Sequence, residues 1–230
     1  MAAGAAQTLK KRTVMLAGAS SQIGVFAIPR LLACGFDIIA VSRRGKPPGW
    51  PDIERVRWLD ELAAVRAAGG CEYLFSAGPM DLAHSLLRAL GQLNKAIVFS
   101  STSVETKAGS GNPFENAQAK QLGDLESELR SCARARAMKL VIFRPTLVYG
   151  CGLDTNISRL ANWIQRFGFL PVNGQAPGLR QPVHADDLAA VAIRALLSER
   201  ELPAVFNVAG GETLCYAEMV RRIFPVSYTH

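Results

Sequence analysis

Residues 13–44 constrain this chain more than any other stretch. Val14-Met15-Leu16-Ala17 is an apolar run the length of one buried strand. It leads into Gly18-Ala19-Ser20-Ser21-Gln22-Ile23-Gly24, and residues 25–32 then carry helical patterning. A second apolar run, Ile38-Ile39-Ala40-Val41, closes the unit. Strand, glycine turn, helix and strand make the βαβ unit whose turn holds a dinucleotide pyrophosphate. Gly18 lets the turn tighten and Gly24 lets the helix approach the strand. The backbone N–H groups that open the helix, around Ser20, Ser21, Gln22 and Ile23, offer partial positive charge to an anion. The spacing is nearer G-x-x-G-x-x-G than G-x-G-x-x-G, with Ser21 in the middle glycine position. A strand–helix turn without a ligand is the alternative; the apolar strands on both sides favour binding.

The end of the second strand selects the dinucleotide. An acidic residue about 20 positions past the glycines would bond the ribose 2′-hydroxyl of NAD. Ser42 stands there instead, followed by Arg43 and Arg44. Guanidinium groups attract a 2′-phosphate and can bind it through paired hydrogen bonds, so NADP(H) is favoured over NAD(H). The alternative is a solvated basic loop that includes Lys46.

With 230 residues, about half of them apolar, the chain has enough material for one α/β domain with a full core. The net charge of +7 is scattered and is not interleaved with aromatics, so a phosphate-bearing small ligand is expected and nucleic acid is not. The five cysteines are far apart, without C-x-x-C or histidines at ligand spacing; reduced thiols in a cytoplasmic protein are expected, with no metal site. No apolar run is long enough to span a bilayer. Residues 1–12 read as a flexible leader without the pattern of a secretory signal.

Further along, residues 56–59 form a third strand ending at Asp60, placed either to face an adenine or to cap a helix at residues 62–68. A fourth strand ends at Ser76 before Ala77 and Gly78, small residues that allow close approach of a cofactor ribose. A fifth strand ends in the hydroxyl run Ser100-Ser101-Thr102-Ser103. The sixth, after a long helix at residues 115–136, ends in Arg144-Pro145-Thr146. In a doubly wound sheet, ligands bind outside these strand ends.

Gly18–Gly24, Ser100–Val104, Phe143-Arg144-Pro145-Thr146-Leu147-Val148-Tyr149-Gly150, Gln181–Ala189 and Phe206–Glu212 occur in one order over residues 13–224. In these motifs the sequence resembles the NAD(P)-dependent epimerase/dehydratase type of the short-chain dehydrogenase/reductase superfamily, its extended or atypical branch. The resemblance implies an α/β fold with a doubly wound parallel (Rossmann) sheet of six or seven strands. Residues 13–150 would form the dinucleotide-binding core. Residues 151–230 would complete it at about 181–208 and add a small substrate-binding portion, either shortened or minimal by nature.

The implied activity is hydride transfer on a nucleotide sugar or related carbonyl substrate, carried by a Ser/Thr and a Tyr-x-x-x-Lys pair. The Ser/Thr position falls on Ser101, with Thr102 next, and the lysine position on Lys120. Four residues before Lys120 stands Asn116, which cannot exchange a proton at neutral pH; Glu115 is a candidate base in its place. The resemblance further places Pro145 beside the nicotinamide, Arg180 on a substrate diphosphate, Asn156 within reach of substrate, and His184 and Asp187 in structural positions. Residues 167–171 read as a packed turn, residues 216–224 as the last helix and residues 225–230 as an unpatterned tail. Dimers through two long helices are common in the superfamily, and residues 124–136 are the candidate face for a homodimer. The alternative function is an NADP(H)-binding sensor or assembly protein that has lost the catalytic tyrosine.

Overall fold

Seven parallel strands carry the fold in a computed structural model that describes residues 12–66, 70–170 and 178–227. β1 (Arg12–Ala17) passes through the glycine turn into α1 (Gln22–Ala33) and returns as β2 (Phe36–Val41). β3 (Val56–Leu59), α2 (Glu61–Arg66), β4 (Tyr73–Ser76), α3 (Met80–Ala89) and β5 (Lys95–Phe99) follow. The single-turn α4 (Ser103–Thr106) precedes the long α5 (Pro113–Ala135) and β6 (Lys139–Pro145). The rest of the chain holds β7 (Val148–Tyr149), α6 (Ile157–Phe167), β8 (Leu179–Arg180), β9 (Val183–His184), α7 (Ala185–Leu197), β10 (Val205–Val208), β11 (Leu214–Cys215) and α8 (Tyr216–Ser227).

The main sheet runs β3-β2-β1-β4-β5-β6-β10. Its register sets Leu16 beside Ala40 and Phe75, and Phe143 beside Phe99 and Phe206. Helices cover both faces, so both sets of alternating side chains are buried and the strands read as continuous apolar runs. Val14, Leu16, Phe75, Ile97 and Phe99 pack under α1 and α7. Met15, Ala17, Leu74 and Val98 pack under α2, α3 and α5. On the first face Phe75, Phe99, Phe143 and Phe206 form a row of rings with centroids 5.8, 5.6 and 5.5 Å apart.

Caps fix where the helices start. Ser21 accepts from Gly24 N at 3.1 Å to open α1. Asn112 accepts from Phe114 N at 3.0 Å to open α5, with Pro113 at its first position. His184 Nδ1 accepts from Asp186 N at 3.2 Å to open α7.

β1 lies between β2 and β4, so the chain leaves it in opposite directions and a crevice opens at the carboxyl ends of β1 and β4. Beyond β6, β7 pairs with β9 in parallel and β8 with β11 antiparallel.

Several boundaries differ from the sequence reading. Arg12 belongs to β1 rather than to a leader, and its guanidinium donates to Cys34 O at 3.0 Å; residues 1–11 lie outside the described residues. α2 is described only to Arg66, and residues 67–68 of the expected helix lie outside. α8 continues to Ser227, so residues 225–227 are helical rather than tail, and residues 228–230 lie outside. At the turn after α6, Gly168 ends the helix at φ 74°; the half-exposed Phe167 ring lies 4.5 Å from the Trp163 ring, while Phe169 is exposed. Pro171 of that turn lies outside the described residues.

Candidate active site

The glycine turn sits at the point where the sheet topology reverses. Gly18 has φ +70°, and a Cβ on it would stand 2.5 Å from Gly78 N; a Cβ on Gly24 would stand 2.2 Å from Gly18 O. The turn is thus pressed against the end of β4 and against the first turn of α1, and only hydrogen fits at either position. Ser21 N donates to Gly18 O at 2.9 Å and Ala19 N to Val41 O at 2.9 Å. The N–H groups of Ser20, Gln22 and Ile23 meet no acceptor among the described residues.

Among the described residues, three buried side-chain atoms also lack a protein partner: Gln22 Oε1, Ser76 Oγ and Ser100 Oγ. They belong to the turn, the end of β4 and the residue after β5. Buried polar groups without partners call for a ligand or water. Free amides and orphaned oxygens at one sheet edge fit a dinucleotide laid across the switch point.

At the end of β2, Ser42 is buried and donates through Oγ to Gly45 O, while Gly45 N returns to Ser42 O at 3.2 Å. That closed turn leaves Arg43 and Arg44 exposed, with no ion-pair partner among the described residues. Lys46 is taken by Asp52. Asp60 is a helix cap: its Oδ1 accepts from Ala63 N at 2.7 Å.

The turn opens into a cleft of about 860 Å³, which Gln22 lines together with Ser101, Thr146, Asn156, Arg180 and Gln181. Ser101 Oγ donates to Ser103 Oγ at 3.0 Å and accepts from Ser103 N at 3.1 Å. Thr102 also lines the cleft, but both its N–H and its Oγ1 donate to Pro145 O, at 3.1 and 3.2 Å. Thr102 therefore ties the end of β5 to the buried Pro145, and Ser101 presents the more available hydroxyl. Arg180 is exposed, donates to Leu179 O at 2.8 Å and has its guanidinium 6.0 Å from the Tyr216 ring. Among the described residues no His/Cys/Asp/Glu cluster could hold a metal, and no helix is long and apolar enough to cross a membrane.

No protein-family model matches the chain. Over 100 residues, 44% of the chain, it is 29% identical to UDP-glucose 4-epimerase from Vibrio cholerae, and the match spans 30% of that protein. Over 199 residues, 80% of the chain, it is 25% identical to an uncharacterised protein of Mycobacterium tuberculosis and spans 20% of it. The matched stretches are thus under a third of these curated relatives' lengths. Three solved structures superpose along nearly the whole chain. A UDP-glucose 4-epimerase from Thermotoga maritima gives a TM-score of 0.73 at 17% identity, covering 95% of this chain and 84% of that one. A UDP-N-acetylglucosamine 4-epimerase from Methanobrevibacter ruminantium gives 0.76 at 18% identity, covering 93% and 81%. The Bordetella bronchiseptica enzyme WbmF, solved with NAD⁺, gives 0.73 at 17% identity, covering 94% and 78%.

The chain has the doubly wound parallel-sheet (Rossmann) fold of these structures.

Within this epimerase-type fold, the positions expected from the tyrosine–lysine motif stand away from the cleft. Asn116 is exposed, and its Oδ1 accepts from Gly109 N at 3.1 Å. Lys120 is exposed and pairs with Asp124 one turn along α5, at 2.7 Å. Neither lines the cleft; Glu115 does, and with it Lys107. Sequence reasoning had named Glu115 but missed Lys107. The available signal was its spacing four residues after Ser103, which places the two one helical turn apart.

A second omission is the buried carboxylate of Glu126, gripped by Arg144 next to Pro145. Arg144 also reaches Glu105, whose other oxygen accepts from Asn207 Nδ2 at 2.9 Å. This network ties α4, α5, β6 and β10 together beneath the hydroxyl run.

Proposed function

We propose that this protein binds NAD(P)(H), with NADP(H) preferred, and transfers hydride on a nucleotide sugar or a related carbonyl compound. The observation that carries this is the junction of the two halves of the site: the glycine turn, with its unbonded amides, opens through Gln22 into the cleft lined by Ser101, Asn156 and Arg180. The structural neighbours named above are UDP-sugar epimerases and an enzyme solved with NAD⁺, and such an activity suits a site of this composition.

In this reading Gly18 and the segment from Ser20 to Gly24 hold the pyrophosphate, and Arg43 and Arg44 reach the 2′-phosphate beyond Ser42. Asp60 borders the adenine end, Ser76, Ala77 and Gly78 border a ribose, and Pro145 walls the nicotinamide. Bound there, the nicotinamide supplies or accepts the hydride. Ser101 orients the substrate oxygen at which charge develops, Arg180 binds the diphosphate through its fork of donors, and Asn156 contacts the same substrate.

A second reading, a dinucleotide-binding protein without turnover, is favoured by the placement of Asn116 and Lys120 outside the cleft. Calorimetric titration of NADPH and NADH into the wild type and the Arg43→Ala/Arg44→Ala variant tests the common core of both. The expected result is NADPH binding that the double substitution removes, with NADH weaker in the wild type. Binding of neither nucleotide overturns both readings.

A further inference from the structure

Lys107 and Glu115 meet on the wall of the cleft. Lys107 Nζ lies 3.0 Å from Glu115 Oε1, and Ser110 Oγ donates to Glu115 Oε2 at 3.1 Å. The two side chains are 36% and 37% exposed, open to the cleft but not waving in solvent. Lys107 N donates to Ser103 O at 3.1 Å, so Lys107 stands one turn beyond Ser103, whose hydroxyl accepts from Ser101. Two hydroxyls and an ammonium thus follow one another along a single wall. Asn116 and Lys120 contribute nothing to it.

We propose that Lys107 is the proton-exchanging residue of this cleft and that Glu115 is its positioning residue. The inference rests on the oxidoreductase reading above and names the acid–base group that reading lacks.

In the reducing direction a carbonyl carbon gains a hydride, its C=O π pair moves onto oxygen, and that oxygen needs one proton. Lys107 Nζ gives up the proton, its N–H bonding pair stays on nitrogen, and the neutral amine is recharged from solvent. In the oxidising direction the ammonium first loses a proton to solvent; the neutral amine then takes the hydroxyl proton, the O–H pair becomes the C=O π pair, and the C–H pair leaves as hydride. Glu115 remains an anion throughout, because the Lys107 and Ser110 hydrogen bonds hold its pKa below the usual carboxylate value. An ionised carboxylate 3.0 Å from the ammonium fixes where Nζ points.

The test uses the full chain with wild type, Lys107→Arg, Glu115→Gln and Lys120→Met. Lys107→Arg keeps a cation for Glu115 but cannot release a proton at neutral pH. NADPH and UDP-glucose binding are measured by calorimetry, and reduction of UDP-4-keto-6-deoxyglucose is followed at NADPH absorbance. Lysine acetylation is mapped by mass spectrometry with and without UDP-glucose. The expected result is unchanged binding of both ligands to Lys107→Arg with turnover lowered about 10²–10⁴-fold. Glu115→Gln lowers kcat with KM unchanged, and UDP-glucose protects Lys107 from acetylation.

Wild-type turnover in Lys107→Arg, loss of turnover in Lys120→Met alone, no protection of Lys107, or a wild type that binds NADPH but reduces no keto sugar each overturns the proposal while leaving dinucleotide binding intact. A wild type that binds neither NADPH nor NADH overturns the function reading along with it.

Discussion

Arg144 grips the fully buried carboxylate of Glu126 with two nitrogens: Nε is 2.9 Å from Oε1, and Nη2 is 2.5 Å from Oε2. The arginine side chain is 12% exposed and the glutamate 0%. Removing one partner strands the other charge out of water. Arg144→Met should therefore cost about 3–5 kcal/mol of stability, read from urea unfolding. Arg144→Met/Glu126→Leu should recover much of that loss, because the buried charge goes with its partner. A double variant as unstable as the single one would show that the loss came from packing.

Gly24 and Gly91 provide a matched pair. A Cβ on Gly24 meets backbone at 2.2 Å, whereas one on Gly91 meets nothing within 4 Å. Gly24→Ala should lose about 1–3 kcal/mol, since backbone cannot swing aside as a side chain can. Gly91→Ala should stay within about 0.5 kcal/mol of wild type. Thermal melts of the two variants check this, and Gly24→Ala should also lose NADPH binding.

Arg30 on α1 and Asp186 on α7 form a two-pronged pair, both bonds 2.7 Å. The Arg30 hydrogen bond holds the Asp186 carboxyl below its usual value. A lowered folded-state pKa gives stability that is present above the unfolded-state pKa, about 3.9, and is lost as pH falls through the folded value. The side chains are 41% and 33% exposed, so solvent limits the gain to about 1 kcal/mol. Asp186→Asn should be less stable than wild type by that amount at pH 7, and the gap should close below about pH 4. Chemical unfolding across that range reads it.

Cys71 and Cys151 should react at very different rates. Burial pushes the Cys71 thiol up to about 11. Cys151 is exposed on the loop beside α1, where its thiol approaches Gln22 O at 4.0 Å. At pH 8 iodoacetamide should label Cys151 in the native protein and leave Cys71 unlabelled until denaturant is added, since the thiolate is the reactive form. Peptide mass spectrometry distinguishes the two sites.

Under the proposed function, Arg180 should govern binding of a nucleotide diphosphate. Its guanidinium lies in the cleft, and among the described residues Leu179 O is its hydrogen-bond acceptor. Arg180→Ala should weaken UDP-glucose binding by about 1.5–3 kcal/mol, the range of hydrogen bonds to a charged group. NADPH binding should be unaffected. Calorimetry with each ligand separately checks both halves.

The sequence by itself determined the first six strands of the main sheet, the glycine turn and the order in which they occur. Val14–Ala17, Ile38–Val41 and Ala96–Phe99 are continuous apolar runs because a parallel sheet buries both faces. Gly18 and Gly24 were legible because the turn imposes its requirement locally. That Asp60 caps α2 through a bond from Ala63 N was visible only in the structure.

Tertiary packing decided which side chains meet. Adjacent residues on α5 point about 100° apart, so the burial of Ala119, Leu129 and Ala133 fixes the phase that turns Glu115 into the cleft and Lys120 away from it. Thr102 and Pro145 are 43 positions apart, and their bond exists only because β5 and β6 are neighbours. The same holds for Glu126 and Arg144. Local patterning records which residues are apolar and where the backbone must bend, and the facing of polar groups across a cleft depends on contacts between segments that no local pattern encodes.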